Sequence, residues 1–343
     1  MMSNLDPLKV SSYHYDLPEE LIALAPHFPK NEQKLLVYDR KTKNITHALF
    51  GDIFDFIPKD SAVILNDTKV IKARVFGKKE TGGKIELLLN SPLPNNLFLV
   101  YIRGKVKVGT KLFFEKDLQA TVTKLHDDGT REVVFELSDK KLDFESLNNI
   151  LEKIGHIPLP PYIKREDKKE DETNYQTLFA KNIGAVAAPT ASLHFDEKSF
   201  EKLKKEFQVN YITLHVGAGT FKSIEVENIR EHTMHKEWYN IPQETKEIID
   251  SNKHILAVGT TVTRTIEFYH REKKLTSQSD LFLHPKNPPQ RVNSLLTNFH
   301  LPSSTLIMLV ASFTSLEEVL KIYNEAVKRR YKFYSYGDSM LIV

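Results

Sequence analysis

The sequence predicts an α/β protein, an α/β-barrel body carrying an inserted small all-β barrel of about six strands. Three observations lead there. From Gly184 to the C-terminus β- and α-type segments alternate. Between Lys69 and Leu137 short strand-length runs follow one another with no helix among them, which suits a small closed barrel. The remainder, residues 1–68 and 151–343, amounts to 261 residues, a length that suits an α/β barrel. The expected division is therefore a body of residues 1–68 and 151–343 and an insert of residues 69–150.

In chain order, Asp16-Leu-Pro-Glu-Glu20 reads as a helix start, with Pro18 in the first turn. Leu35–Tyr38 and Ala62–Leu65 are apolar runs of strand length, the second ending in the polar triplet Asn66-Asp67-Thr68. In the insert, Val70–Phe76 and Lys84–Leu89 flank a glycine-rich turn. Leu97–Ile102, Lys111–Phe114, Gln119–Leu125 and Glu132–Leu137 continue the pattern, with Asp127-Asp-Gly129 as a hairpin turn. Phe144–Ile154 has helical spacing and stops at Gly155. His156–Ile163 holds three prolines and reads as extended chain, and Lys164–Asp171 as a solvated loop. Beyond these come a helix over Lys198–Phe207, a strand over Val209–Val216 and a helix over Glu244–Ser251. A strand over Ile255–Val258, a helix over Val262–His270, a strand over Leu281–Leu283 and a helix over Leu316–Arg330 complete the series.

Composition narrows the class. Hydrophobic residues make up 41% of the 343 and charged residues 27%, the balance of a globular protein. Cysteine is absent, which removes disulfides and thiolate metal sites and suits a reducing cytoplasm. Met1–Val10 carries Asp6 and Lys9 and lacks a signal-like apolar core. The longest apolar run, Leu306–Ala311, is far shorter than the roughly 20 residues of a membrane span. A net charge of +3 names no partner, but residues 69–111 hold ten basic side chains against two acidic ones. With Phe76 and Tyr101 interleaved, that face suits an RNA backbone. A solvated, aggregation-resistant sheet edge explains it equally well.

Candidate site residues cluster at strand ends. The centre of the chain is Gly184–Phe195, a run of small apolar residues closing on Pro189, Thr190 and His194; an isolated histidine is more often a hydrogen-bonded core residue, but the setting of His194 beside Thr190 favours function. Pro189 forbids a central ladder there, so the run reads as a buried strand leading into a loop, the place where α/β proteins hold ligands. His215–Phe221 offers an imidazole, Gly217 and Gly219 for close backbone approach, and the Thr220 hydroxyl. A tight turn would use the same residues, and G-x-G alone is weak evidence for a dinucleotide. Gly259, Thr260 and Thr261 precede a helix whose first turn, with Arg264, suits a carboxylate or phosphate. A plain threonine cap is the alternative. Glu231, His232, His235 and Glu237 stand close in sequence, but not with the i, i+4 histidine spacing of a zinc helix, so a polar acid/base wall is preferred to a metal centre. Asn298 and His300, in Thr297–Pro302, complete the candidates together with the polar-aromatic segment Tyr334–Asp338; turn chemistry alone would explain either segment.

Several segments together resemble the S-adenosylmethionine:tRNA ribosyltransferase-isomerase family of queuosine biosynthesis. They are Tyr15–Ile22, Leu65–Arg74, Lys79–Glu86, Ile157–Ile163, Tyr175–Thr177, Gly184–Phe195, Thr213–Phe221, Val258–Thr261, Leu295–Pro302 and Ser335–Met340, in the family's order. Three positions depart from it: Ser192 where glycine is usual, Ala218 where a larger aliphatic is common, and Val262 where serine is common. The resemblance implies an α/β barrel with an inserted β-barrel. It also implies transfer and isomerisation of the ribosyl part of S-adenosylmethionine onto 7-aminomethyl-7-deazaguanine at the tRNA wobble position, giving epoxyqueuosine, adenine and methionine. S-adenosylmethionine is then a consumed substrate, with no other cofactor and no metal. In that chemistry His194 and His215 are expected to bracket the ribose as acid and base, with Thr190 orienting it. Gly259–Thr261 and Arg264 would hold the methionine carboxylate, Asp67 and Glu231 would be charge or proton partners, and Arg74 and Lys84 would meet the anticodon stem-loop. A cytoplasmic monomer is expected.

Two other classes are weighed. A methyltransferase lacks support, because no early strand is followed by G-x-G-x-G and a later acidic ribose ligand. A non-catalytic RNA-binding module leaves the 261-residue body and its histidines without a purpose.

Overall fold

The computed structural model describes residues 5–221 and 224–343, so Met1–Asn4, the start of the segment read for a leader, lies outside the described residues. In chain order the strands are β1 (Lys34–Asp39), β2 (Asn44–Leu49), β3 (Ala62–Asn66), β4 (Thr68–Val70), β5 (Arg74–Lys79), β6 (Lys84–Leu93), β7 (Leu97–Arg103), β8 (Lys111–Phe113), β9 (Gln119–Leu125), β10 (Thr130–Leu137), β11 (Lys140–Lys141), β12 (Asn182–Ala185), β13 (Gln208–Leu214), β14 (Glu237–Asn240), β15 (Ile255–Val258), β16 (Thr276–Ser279), β17 (Ser294–Asn298) and β18 (Ser339–Ile342). The α-helices are α1 (Phe144–Ile154), α2 (Asp171–Asn174), α3 (Glu197–Glu206), α4 (Gln243–Asp250), α5 (Thr260–Glu272), α6 (Thr305–Phe313) and α7 (Leu316–Lys328).

The α/β class and the inserted barrel are as expected. Nine strands form the body sheet in the order β16-β14-β13-β3-β15-β17-β18-β1-β2. The four central strands β13, β3, β15 and β17 run parallel. Antiparallel strands flank them, and β16 and β2 are not paired with each other among the described residues. Alternate residues feed two separate cores. Ile64, Ala257 and Met340 face α5, α6 and α7. Val63, Leu65, Val258 and Leu341 face α3 and the 3-10 segment Phe50–Asp55. Covered on both faces, these strands read in the sequence as short continuous apolar runs rather than as alternation.

The insert obeys the other rule. β10, β7, β6, β5, β8 and β9 pair in sequence, and β9 pairs back to β10, closing six strands. Only one face of each strand is buried, so Ile85, Leu87 and Leu89 alternate with outward residues and point at Phe98, Val122 and Phe135. Leu147 and Leu151 of α1, capped by Asp143 accepting from the Ser146 N–H at 2.9 Å, plug one end.

Three expectations change. The strand placed at Leu281–Leu283 lies earlier, at Thr276–Ser279, where it pairs with β14, while the Leu281 carbonyl receives the Arg264 Nε. The helix expected from Asp16 is a single 3-10 turn, Glu19–Leu21, because the chain then turns extended to bridge Ile22 to Phe333. Strands β2, β11, β14, β17 and β18 and helices α2 and α6 were not expected; β17 and β18 are fully buried and four or five residues long, too short to show a period.

Candidate active site

The four parallel strands end, at their carboxyl ends, on the motifs singled out in the sequence. Asp67 follows β3, His215 and Gly217 follow β13, Gly259 to Thr261 follow β15, and Asn298 ends β17. In open α/β sheets that is where ligands bind. A cavity of about 300 Å³ opens there, and Thr190, Thr220, Gly259, Thr260, Thr261, Asn298 and His300 all line it. No charged side chain does, among the described residues. Its polarity comes instead from hydroxyls and from the start of α5, whose N-cap Gly259 provides no side-chain cap to the first-turn N–H groups. Opposite stand Tyr162, Tyr175, Phe299 and Tyr334, with Tyr162 and Tyr334 ring centroids 4.0 Å apart.

His194 is not on that wall. It is 2% exposed, against Phe50, with both ring nitrogens engaged: Nδ1 lies 2.8 Å from Gln33 Oε1 and Nε2 3.1 Å from Asn298 Nδ2. Asn298 Oδ1 in turn accepts from the Thr190 hydroxyl at 3.0 Å. The partners define one direction: Nδ1–H donates to Gln33, Nε2 accepts from Asn298, and Thr190 spends its proton on Asn298. Thr190 therefore presents oxygen lone pairs toward the cavity. Burial, with Lys30 nearby, pulls the His194 pKa down to about 3, so the ring is neutral at pH 7. His300 behaves likewise: burial lowers it to about 3, and its Nε2 is 2.9 Å from Thr297 Oγ1.

His215 lines a second cavity, of about 370 Å³, between the insert and the body. The two histidines expected to bracket one group thus stand at different cavities. His215 Nδ1 lies 2.8 Å from Thr68 Oγ1, and its ring stacks on Trp238 at 5.0 Å and 18°. Gly184, at φ 148°, brings bare backbone against it; a Cβ there would sit 2.7 Å from Nε2. Burial lowers the His215 pKa to about 4, and the charge of Asp67 opposes the fall. Asp67 is held by the Thr213 hydroxyl at 2.6 Å and the Asn182 amide at 3.0 Å. The loop after β13 separates the two cavities, His215 and Gly217 facing one, Val216 and Thr220 the other.

Arg264, expected at a carboxylate, turns inward. Its Nη1 donates to Glu237 Oε2 at 2.8 Å, and Nε and Nη2 donate to the Leu281 and Ser279 carbonyls. Glu237 Oε1 receives the Gly217 N–H at 3.1 Å and the Thr220 hydroxyl at 3.4 Å, so the pair braces the loop between the cavities. Gly219 is forced by packing, since a Cβ would lie 2.6 Å from the His235 ring. Glu231 is exposed and lines neither cavity; His232 packs edge-on against Phe282. The acid/base wall expected from that segment is thus divided. Arg74 pairs with Glu86 at 2.7 Å and covers the Phe76 ring, whereas Lys84 is exposed.

Sequence reading passed over Gln33, Glu237 as a loop brace, Tyr162 and Trp238, and named Tyr334 only as the first residue of a polar-aromatic segment. Gln33 has no local signal, being brought to His194 across 161 residues by tertiary packing. The tyrosines lay in motifs already noted and could have been found through them.

The model of the family described as "Queuosine biosynthesis protein" matches residues 10–342. A protein of a Nitratiruptor species named S-adenosylmethionine:tRNA ribosyltransferase-isomerase is 60% identical, covering 99% of this chain and 100% of that one. A Campylobacter jejuni protein of the same name is 59% identical over 98% of this chain and 99% of its own length. Among solved structures, the S-adenosylmethionine tRNA ribosyltransferase of Thermotoga maritima matches with a TM-score of 0.54 at 34% identity, over 97% of this chain and 100% of that one. With nearly its whole length covered by the family model and by relatives of this identity, the chain belongs to the queuosine biosynthesis protein family.

Proposed function

We propose that this enzyme transfers and isomerises the ribosyl moiety of S-adenosylmethionine onto 7-aminomethyl-7-deazaguanine at the wobble position of tRNA, releasing adenine and methionine. The carrying observation is the uncharged, aromatic-walled cavity at the carboxyl ends of four parallel strands, with the start of α5 on its rim. That cavity suits the donor. The open first-turn N–H groups at Gly259–Thr261 match the methionine carboxylate. Tyr162, Phe299 and Tyr334 give adenine an aromatic wall, and the Thr190 lone pairs meet a ribose hydroxyl donor. Arg264 serves this reading by bracing the loop through Glu237.

The sulfonium acidifies the ribose 5′ hydrogens, and a neutral imidazole is the form that accepts such a proton. His215, kept neutral by burial, faces the second cavity and is assigned to take a proton from the attacking aminomethyl group there. The aminomethyl nitrogen gives up a proton as it bonds to ribosyl carbon; methionine leaves with the sulfur–carbon pair, adenine leaves with the glycosidic pair and takes up a proton, and the pair left by the 5′ hydrogen closes the rearranged ring. Residues 1–68 and 151–343 form the catalytic body in this reading, and residues 69–150 grip RNA. The protein works as a cytoplasmic monomer, with no retained cofactor or metal. Among the described residues no helix is long and apolar enough to cross a membrane.

The test incubates the protein with S-adenosylmethionine and tRNA bearing the aminomethyl base, with and without EDTA. Adenine and methionine should appear in step with a ribosylated wobble nucleoside, at a rate EDTA leaves unchanged. S-adenosylhomocysteine instead of adenine would make the protein a methyltransferase.

A further inference from the structure

The second cavity has the makings of a binding site of its own. Trp238 is 40% exposed although it stands in a strand of the body sheet, and its indole lies nearly parallel to the His215 ring. An exposed indole held flat on a largely buried imidazole is a ready stacking platform, since every nucleobase offers a π face. Pro92, Leu93, Phe144 and Ile183 line the cavity as apolar wall, while Asn90, Gln278 and Lys236 supply polar groups. Its volume of about 370 Å³ leaves room for one base.

The insert connects this cavity to the basic surface. β6 starts at exposed Lys84 and ends, through Ser91, Pro92 and Leu93, on the cavity wall. Exposed Arg103 and Lys105 lie at the end of the neighbouring β7, whose Arg103 pairs in register with Glu86 of β6. RNA held by its phosphates at that basic end would run the length of β6, about 30 Å, to reach Trp238. Asn90 Oδ1 also receives the Ala218 N–H at 3.0 Å, tying the insert to the loop that divides this cavity from the donor cavity.

We propose that the second cavity seats the acceptor base, swung out of its RNA loop and stacked on Trp238, with its aminomethyl group directed past the loop His215–Thr220 toward the donor. The proposal rests on the ribosyl-transfer reading for the identity of the base. Extruding a base is least costly where it is already unpaired, as in a hairpin loop.

Trp238 is the only tryptophan in the sequence, so the intrinsic tryptophan fluorescence of the protein reports on this cavity alone. The experiment titrates the protein with an RNA stem-loop carrying 7-aminomethyl-7-deazaguanine, with the same RNA abasic at that position, and with S-adenosylmethionine. The base-bearing RNA should quench the emission, and the abasic RNA and S-adenosylmethionine should not. Trp238→Ala should raise KM for the RNA about tenfold or more and leave KM for S-adenosylmethionine within twofold, while Trp238→Phe, which keeps a stacking face, should recover most of the loss. Equal quenching by the abasic RNA would overturn the proposal, as would a Trp238→Ala enzyme with unchanged KM for RNA. The titration requires no turnover, so lack of adenine release would count against the reaction and not against the base site.

Discussion

His194 shows how burial turns a residue with catalytic chemistry into one that positions others. Its two nitrogens are committed to Gln33 and Asn298, and its effect reaches the cavity through Asn298, which lines it, and the Thr190 hydroxyl. Thr190→Val should therefore lower turnover at least tenfold, and by stripping buried Asn298 Oδ1 of its donor it should also cost about 1–3 kcal/mol. His194→Leu should destabilise the fold by about 1–3 kcal/mol, because it leaves the Gln33 and Asn298 amides unpaired in a buried place. Thermal melts and steady-state kinetics of the two variants check this; a His194→Leu protein as stable as its parent would refute it. His300 makes a second test. Unfolded, its ring takes up a proton near pH 6.5, whereas the folded ring resists until about 3. The unfolded state thus binds more protons between those values, and stability falls as pH is lowered through that window. His300→Gln removes the group, so denaturant melts from pH 7 to 4 should show the variant losing less stability than wild type. Parallel pH dependence in the two would contradict the assignment.

At the scale of elements, the site depends on how each strand hands over to the segment after it. Gly259 joins β15 to α5 at φ 102°, ψ 153°, a conformation essentially confined to glycine. An added Cβ would meet Ala191 Cβ and Thr261 Oγ1 at 3.7 Å, ordinary packing distance, so the cost of Gly259→Ala is backbone strain and not crowding. That cost is about 1–3 kcal/mol. The variant should shift the first turn of α5 and raise KM for S-adenosylmethionine more than KM for tRNA. Equal effects on both would argue that α5 does not face the donor. The C-terminal segment is held in a similar way: the buried Asp338 carboxylate accepts the Lys34 and Lys332 N–H groups at 2.9 and 2.7 Å, fastening the turn before β18 to β1.

For the whole molecule, the question is how a basic insert serves an uncharged cavity proposed to hold the donor. Lys84, Arg103 and Lys105 are exposed on the insert, while Arg74 is tied to Glu86. Reversing the first three to glutamate should weaken tRNA binding and flatten the slope of log affinity against log salt, by roughly 0.7–0.9 for each phosphate no longer neutralised. KM for S-adenosylmethionine should stay put; an unchanged salt slope would place the RNA elsewhere. The sequence by itself determined the α/β class, the inserted barrel and the motifs at strand ends, because periodicity, glycine and proline are local signals. It also carried the family resemblance, through ten ordered segments. Only the tertiary structure decided which of those residues meet. Gln33 reaches His194 across 161 residues, Glu237 takes Arg264 away from the cavity, and His194 and His215 part to different places, the one behind the donor cavity and the other on the wall of the second. These are pairings of side chains distant along the chain, fixed by how the sheet is covered and where the insert docks, and no local pattern encodes them.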